Sequence, residues 1–299
     1  MITYLSSSIW ISPAQTLVNT INVVGAMGKG IALEFKKRYP DMYKQYRKLC
    51  KDKKLTVGKL WIYNSTDRKI LNFPTKINWR SPSKVEYVEE GLIKFVETYE
   101  KMNISSISFP QLGTGHGGLS WDSVVRPLME KHLKDLPIPI FIHLKTEKNK
   151  FIPEHLLPVE DAIPFDVLLD DLKDLAGKYF ETLTKKYRYR FNGIDENFLI
   201  FTRVKGSNPK VKIPIEHLRM LWNDLHNFKI MQSSNTPGQI IKQFGLIFSL
   251  LSNIPYVYTI DASKSYNNLI NNPSVAIFLA KAEGDIDYNG TNDQIELPL

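Results

Sequence analysis

At 299 residues the chain has room for two domains with real cores, and 43% hydrophobic against 23% charged residues marks a globular rather than a disordered protein. The lone Cys50 excludes an internal disulfide and a cysteine-based zinc site. The net charge of +8 is uneven: residues 1–150 hold 24 Lys and Arg against 13 Asp and Glu, and residues 151–299 hold 15 against 18, so a polyanion suits the first half.

The first half alternates strands and helices. Ile2–Leu5 and Thr16–Asn19 read as strands, Ile31–Arg38 and Asp41–Lys51 as helices, and Val57–Tyr63 and Lys69–Phe73 as strands. Ser83 and Glu86 have the spacing of a capping box opening a helix that runs to Met102. Ile104–Phe109 reads as a buried strand, Trp121–Leu136 as a helix and Ile138–Leu144 as a last strand. The pattern predicts a mixed α/β sheet with helices on both faces over residues 1–148. Residues 149–164, with Pro153, Pro158 and Pro164, read as a linker.

Residues 165–299 read as a smaller α+β domain. Its elements are a helix over Phe165–Lys185, a hairpin of Arg188–Phe191 and Phe198–Val204 turning at Asn192-Gly193, helices over Pro214–Phe228 and Gly238–Ser252, and a strand over Tyr256–Ile260. The Asn- and Asp-rich tail after Asn271 is expected to be weakly ordered. Met1–Leu5 lacks the features of a signal peptide, and Phe244–Tyr258, broken by Ser249, Asn253 and Pro255, is too short to span a bilayer. A cytoplasmic protein without membrane contact is expected.

Two glycine-rich loops each follow an apolar strand and open a helix. The first is Val23-Val24-Gly25-Ala26-Met27-Gly28-Lys29-Gly30-Ile31, flanked by Asn19 and Asn22; the second is Leu112-Gly113-Thr114-Gly115-His116-Gly117-Gly118-Leu119-Ser120-Trp121. Glycines let backbone N–H groups approach a ligand, and a helix N-terminus adds unpaired donors and a positive dipole end. Two such loops at one sheet edge suit a diphosphate. Gly113 to Gly118 fits G-x-G-x-x-G, but the next strand ends Phe141-Ile142-His143-Leu144-Lys145 without the acid that a dinucleotide-binding unit uses on its ribose. A P-loop fails because Gly30 follows Gly28-Lys29 where Ser or Thr is required. The remaining alternative is that the glycines are only turns and caps.

With the further run Asn72-Phe73-Pro74-Thr75-Lys76-Ile77-Asn78-Trp79-Arg80, these loops resemble the macrodomain family, and within it the DarG-like DNA ADP-ribosyl glycohydrolases that act as antitoxins. The resemblance covers most of residues 1–145 and implies a three-layer α/β/α fold with ADP-ribose, not a cofactor, in its cleft. It implies removal of ADP-ribose from a modified DNA base, and a DarT-like toxin, a DNA ADP-ribosyltransferase, as partner. Carried onto this sequence, Asn22 meets the distal ribose. Gly25, Gly28, Gly30 and Ile31 line one side of the ligand, and Gly113, Thr114, Gly115, His116, Gly117, Gly118 and Leu119 the other. Ser8 and Ile9 meet the adenine, with Ser8 standing where the family commonly has Asp or Asn.

Lys76 is implied as the catalytic lysine. An amine attacks an anomeric carbon only when neutral, a state that burial and a nearby cation such as Arg80 favour. A glycohydrolase relative carries an acid where this chain has Gly117, which leaves His116, or a water held by the diphosphate, to move a proton. A non-catalytic ADP-ribose-binding module and an ADP-ribose 1″-phosphate phosphatase are the competing activities. The six histidines fall in no recognised ligand spacing, so no metal is expected.

Lys36, Lys37, Arg38, Lys44, Arg47, Lys48, Lys51, Lys53 and Lys54 crowd the early helices with Tyr39, Tyr43 and Tyr46 among them, a composition suited to tracking single-stranded DNA or simply to a solvated face. Lys44, Arg47 and Lys48, with Trp79 and Arg80 beside Lys76, are the expected contacts to ADP-ribosylated single-stranded DNA. In the second half, Glu160, Asp161, Asp166, Asp170, Asp171 and Asp174 form an acidic row. The row imitates phosphates to a basic toxin groove or decorates a helix N-terminus. Arg188, Arg190 and Arg203 offer a competing reading, a winged-helix-like DNA binder.

Overall fold

The computed structural model describes residues 1–144, 156–158, 162–182, 187–204, 210–233, 236, 238, 240–271 and 273–282. Over the described residues the chain divides into two compact units: Met1–Pro158 with Ser263–Asn268, and Val159–Ala262 with Leu269–Ala282.

The first unit is built on strands β1 (Ile2–Leu5), β2 (Thr16–Asn22), β3 (Trp61–Asn64), β4 (Lys69–Lys76), β5 (Ile107–Pro110) and β6 (Ile140–His143), in the spatial order β3-β4-β2-β5-β6-β1. Neighbours from β4 to β1 run parallel, and β3 closes the edge antiparallel to β4. This is the predicted mixed sheet. Parallel strands in such a sheet are buried on both faces, and every residue of β1 and β6 is buried, Thr3 and His143 included.

The helices are α1 (Gly30–Arg38), α2 (Pro40–Lys51), α3 (Val85–Thr98) and α4 (Arg126–Leu133). Met42, Tyr46 and Leu49 repeat at helical spacing and bury one face of α2; Val88, Leu92 and Phe95 do the same for α3. Gly91 is required on α3, because a Cβ there would lie 2.2 Å from the Phe73 ring of β4. A short strand, β7 (Leu156–Pro158), ends the contiguous part of the unit.

Several boundaries differ from the predicted ones, each for a physical reason. Strand β2 runs on to Asn22 and β4 to Lys76, because each has a parallel partner to pair with. Strands β3, β5 and β6 are shorter than read, since pairing and not apolarity sets strand length. Ser83 does not cap α3: Lys84 is the N-cap, without a side-chain cap bond, and the buried Ser83 hydroxyl lies against the second glycine loop. The helix expected from Trp121 opens as one π turn (Trp121–Val125) before α4. Pro127 lacks the N–H that would bond back to Ser123, and Arg126 N instead reaches the Trp121 carbonyl.

The second unit holds α5 (Phe165–Lys173), β8 (Tyr179–Glu181), β9 (Arg188–Asp195), β10 (Phe198–Arg203), β11 (Lys210–Pro214), α6 (Ile215–Phe228), α7 (Ile241–Leu251), β12 (Val257–Ser263), α8 (Tyr266–Asn271), which straddles the division, and β13 (Ser274–Ala282). Strands β11-β10-β9-β8 form an antiparallel sheet. Phe180, Phe191, Leu199, Phe201 and Ile213 on one face share a core with Leu168, Leu172, Leu221, Trp222, Phe244 and Phe248 of the helices. The hairpin turns at Glu196 and not at Asn192-Gly193, which instead forms a bulge where the register shifts. Helix α5 stops at Lys173, where a turn to Gly177 delivers Tyr179–Glu181 to β9 as a strand. Ser274–Ala282, expected to be weakly ordered, pairs with β12. Residues 283–299, most of the 149–164 linker, Glu160 and Asp161 lie outside the described residues.

Candidate functional site

The parallel strands place four connections at one edge of the sheet, their carboxyl ends, where open α/β sheets bind ligands. The first glycine loop leaves β2, the Lys76 segment leaves β4, the second glycine loop leaves β5, and Ser8 and Ile9 follow β1. Because β4 and β5 flank β2, the first loop lies between the other two.

Asn22 organises the first loop. Its side-chain oxygen accepts from Val24 N (3.1 Å) and Ala26 N (3.2 Å), and its amide donates to the Ala26 carbonyl (2.5 Å). The Tyr46 hydroxyl of α2 donates to the Asn22 carbonyl (2.7 Å) and lies 3.1 Å from its Oδ1. The side chain expected on the distal ribose is thus engaged within its own loop through its oxygen and one amide N–H. Asn19 is withdrawn further. It is fully buried, donating to Asn72 Oδ1 (2.9 Å) beneath the loop, and so does not face the cleft. Helix α1 has no side-chain cap at Lys29, which leaves the first-turn amides from Gly30 and Ile31 without a protein partner.

The second loop is held by its backbone. Leu119 N donates to Gly113 O (3.1 Å), Gly118 N to Gly115 O (3.2 Å) and Ser83 N to Gly117 O (2.9 Å). The amides of Gly115, His116 and Gly117 take part in none of these bonds. A Cβ at Gly117 would lie 2.0 Å from Gly113 O and 2.4 Å from the Ser83 hydroxyl. No acid fits there.

Lys76 joins the parts. It is the register partner of Asn22 across the β2–β4 pair, and its Nζ donates to the His116 carbonyl of the second loop. Burial lowers its pKa from the ordinary lysine value. Burial alone is the cause; the contribution expected from Arg80 is absent, since the Arg80 guanidinium stacks on the exposed Trp79 ring, 4.5 Å from its centroid. The His116 ring lies against Gly30, so the two loops meet. Val23 N donates to Ile77 O (3.2 Å), tying the first loop to the lysine segment.

Ser8 is exposed and caps the turn Ile9–Ile11 by accepting from Trp10 N (3.4 Å). Ile9 is buried in the core, which leaves its backbone for a ligand. Ile77, Trp79 and Val24 are about half exposed next to Lys76. A concavity beside the first loop is lined by Val24, Gly25, Tyr43, Lys44, Arg47, Lys48, Cys50 and Lys51, with Lys44 also paired to Asp41 at 2.7 Å. Among the described residues no group of three or more His, Cys, Asp and Glu is placed to hold a metal ion, and no helix is long and apolar enough to cross a membrane. Sequence reading missed Tyr46 and Ser83. Twenty-four residues separate Tyr46 from Asn22, and no local spacing signals that contact.

Residues 18–128 match the model of the Macro domain family. The chain is 43% identical over 147 residues to a DNA ADP-ribosyl glycohydrolase of Mycobacterium tuberculosis, a match covering 47% of this chain and 42% of that protein. It is 38% identical over 164 residues to a DNA ADP-ribosyl transferase-DNA ADP-ribosyl glycohydrolase fusion protein of Thermosipho africanus, covering 48% of this chain and 42% of that one. The solved macrodomain of Mycobacterium tuberculosis DarG is 41% identical, with 49% of this chain and 99% of that chain covered at a TM-score of 0.47. The chain spans less than half the length of the curated relatives it matches.

Proposed function

The chain belongs to the macro domain family through its N-terminal unit, and on that premise we propose that it is a DNA ADP-ribosyl glycohydrolase. The observation that carries the reading is the position of Lys76. Its amine, with a lowered pKa, is held on the His116 carbonyl where two loops with unpaired amides meet.

In this reading the diphosphate of ADP-ribose lies between the amides of Gly28, Gly30 and Ile31 and those of Gly115, His116 and Gly117, with Thr114, whose own amide donates to Gln111 O, beside them. Gly25, Gly113, Gly118 and Leu119 shape the walls, and Ser8 with the Ile9 backbone meets the adenine. Asn22 acts by fixing the first loop. The neutral Lys76 amine bonds to C1″ while the bond from C1″ to the DNA base breaks, and the amine's proton passes to the departing base, with His116 able to carry it. Water then displaces the amine, giving free ADP-ribose and regenerating Lys76. Trp79 and Arg80 contact the modified nucleotide, and Arg47 and Lys48, with Lys44, hold flanking phosphates.

The name of the Thermosipho relative supports a DNA ADP-ribosyltransferase toxin as partner. We assign its binding to residues 165–299 and the hydrolysis to residues 1–148. Among the described residues of the acidic row, Asp166 and Asp174 are the acids left for such a contact, because Asp170 pairs with Lys173 (2.7 Å) and Asp171 accepts from Tyr256 (2.5 Å).

Single-stranded oligonucleotides carrying ADP-ribosyl thymidine or ADP-ribosyl guanosine test the activity. The expected result is release of ADP-ribose and restored DNA. Lys76→Ala should lose about 10²–10⁴-fold in rate while still binding ADP-ribose in calorimetry. Near-normal hydrolysis by that variant overturns the lysine's role. Binding without hydrolysis by the unaltered chain would establish the second reading, a non-catalytic ADP-ribose module, which the acid-free Gly117 favours.

A further inference from the structure

The four-stranded sheet of the second unit has one face packed on helices; the other is exposed along β8, β9 and β11 and closes over Ile200 of the inner strand β10, which is buried. Pairing register fixes what the open face carries. Tyr179, Arg190, Thr202 and Lys210 stand in one row across β8, β9, β10 and β11, and Lys212 is opposite Ile200. Arg188 and Phe198 share this face, while Phe180, Phe191, Leu199, Phe201 and Ile213 alternate to the core. Arg203, grouped with Arg188 and Arg190 by sequence, has the opposite parity and stacks on Tyr187 instead, at 4.0 Å. The face is therefore not a winged helix but a flat basic sheet.

Two features give it a ligand chemistry. Arg188, Arg190, Lys210 and Lys212 are exposed, and among the described residues none is within ion-pair distance of a carboxylate. Glu181 is the acid among them, with Asp195 at the far corner. The cations also alternate with rings. Arg188 lies over Tyr179 at 4.9 Å and Lys212 over Phe198 at 5.6 Å, and Tyr179 is 54% exposed. An exposed ring held flat by a cation presents a stacking surface at little ordering cost. Strands about 4.8 Å apart make the row of four roughly 14 Å long, enough for a short run of unpaired bases. A duplex offers its bases only inside grooves, which a flat sheet face does not enter.

We infer that this sheet face binds single-stranded nucleic acid, with the four cations on phosphates and Tyr179 and Phe198 stacking on bases. The site is separate from the cleft of the first unit and does not rest on the hydrolytic reading. Its charge also excludes this face as a mimic of DNA; an acid-based contact to a toxin belongs elsewhere on the unit.

Fluorescence anisotropy of the full chain with a labelled oligothymidylate of about 12 nucleotides tests it. Arg190→Ala combined with Lys212→Ala should weaken binding at least about tenfold and reduce the salt slope by about 0.7 per lost phosphate contact, with ADP-ribose affinity unchanged. Tyr179→Leu should weaken binding with the salt slope kept. If the double variant melts early, Lys210→Gln with Lys212→Gln, both on exposed side chains, reads the same surface. Unaltered oligothymidylate binding by these variants overturns the proposal, as does loss of all binding through Arg47→Ala and Lys48→Ala alone. Equal affinity for duplex also overturns it, and so does a surface that binds purified toxin but no oligonucleotide.

Discussion

In the loop after β2, peptide groups are oriented by side chains: Asn22 holds three partners in Val24 and Ala26, and Tyr46 holds Asn22. In the loop after β5, the same task falls to the backbone and to the lack of a side chain at Gly117. The two loops face each other yet fail differently. The first loses its shape when a polar group is removed. The second loses it when atoms are added.

The largest effect is expected at the crowded loop. Gly117→Asp, which would supply the acid that a relative has, forces atoms into the space of Gly113 O. ADP-ribose affinity should fall by more than about 100-fold, as misplaced amides and overpacking combine. An unchanged dissociation constant in calorimetry would show that the second loop tolerates what the contact distances forbid.

Next in size is the pH dependence at Lys76, which both loops share. The neutral amine is the reactive form, and its pKa lies below the ordinary lysine value, so hydrolysis should rise about tenfold per pH unit and level off before about pH 10.4. ADP-ribose binding should not follow that curve. A rate that is flat or falls with rising pH removes the lysine from the chemistry.

At the other loop, Asn22→Ala frees the Val24 and Ala26 amides, which are exposed or half-buried and can turn to water, so the loss is about the net worth of one hydrogen bond and ADP-ribose binding should weaken about tenfold. Tyr46→Phe removes one hydroxyl behind that residue and should cost about fivefold. If Tyr46→Phe costs more than Asn22→Ala, the first loop is held from α2 and not by its own asparagine.

Much of the fold was legible because its signals are local. The strand–loop–helix units and the order of the loops follow from glycines and apolar runs that neighbour each other in sequence, whereas Lys76 stood out only through the macrodomain resemblance. Long-range contacts were not. Nothing near Ser83 indicates that its backbone N–H holds the Gly117 carbonyl, so its spacing to Glu86 reads as a capping box. Asn19 and Asn22 look equivalent in sequence, but strand parity and depth send one into the core and the other to the sheet edge. Arg203 separates from Arg188 and Arg190 for the same reason of parity, on a strand whose register a bulge shifts.

Cys50 lends the molecule one practical property. As the single thiol it sits half-buried under Gly25, its pKa pushed up to about 11 by burial, and its Cβ packs on the loop that Asn22 shapes. Its raised pKa leaves little thiolate at neutral pH, so alkylation there is slow. Because Cys50 also lines the concavity beside that loop, the rate at which a maleimide dye reacts is a built-in reporter on the surroundings of the loop, readable without altering a residue.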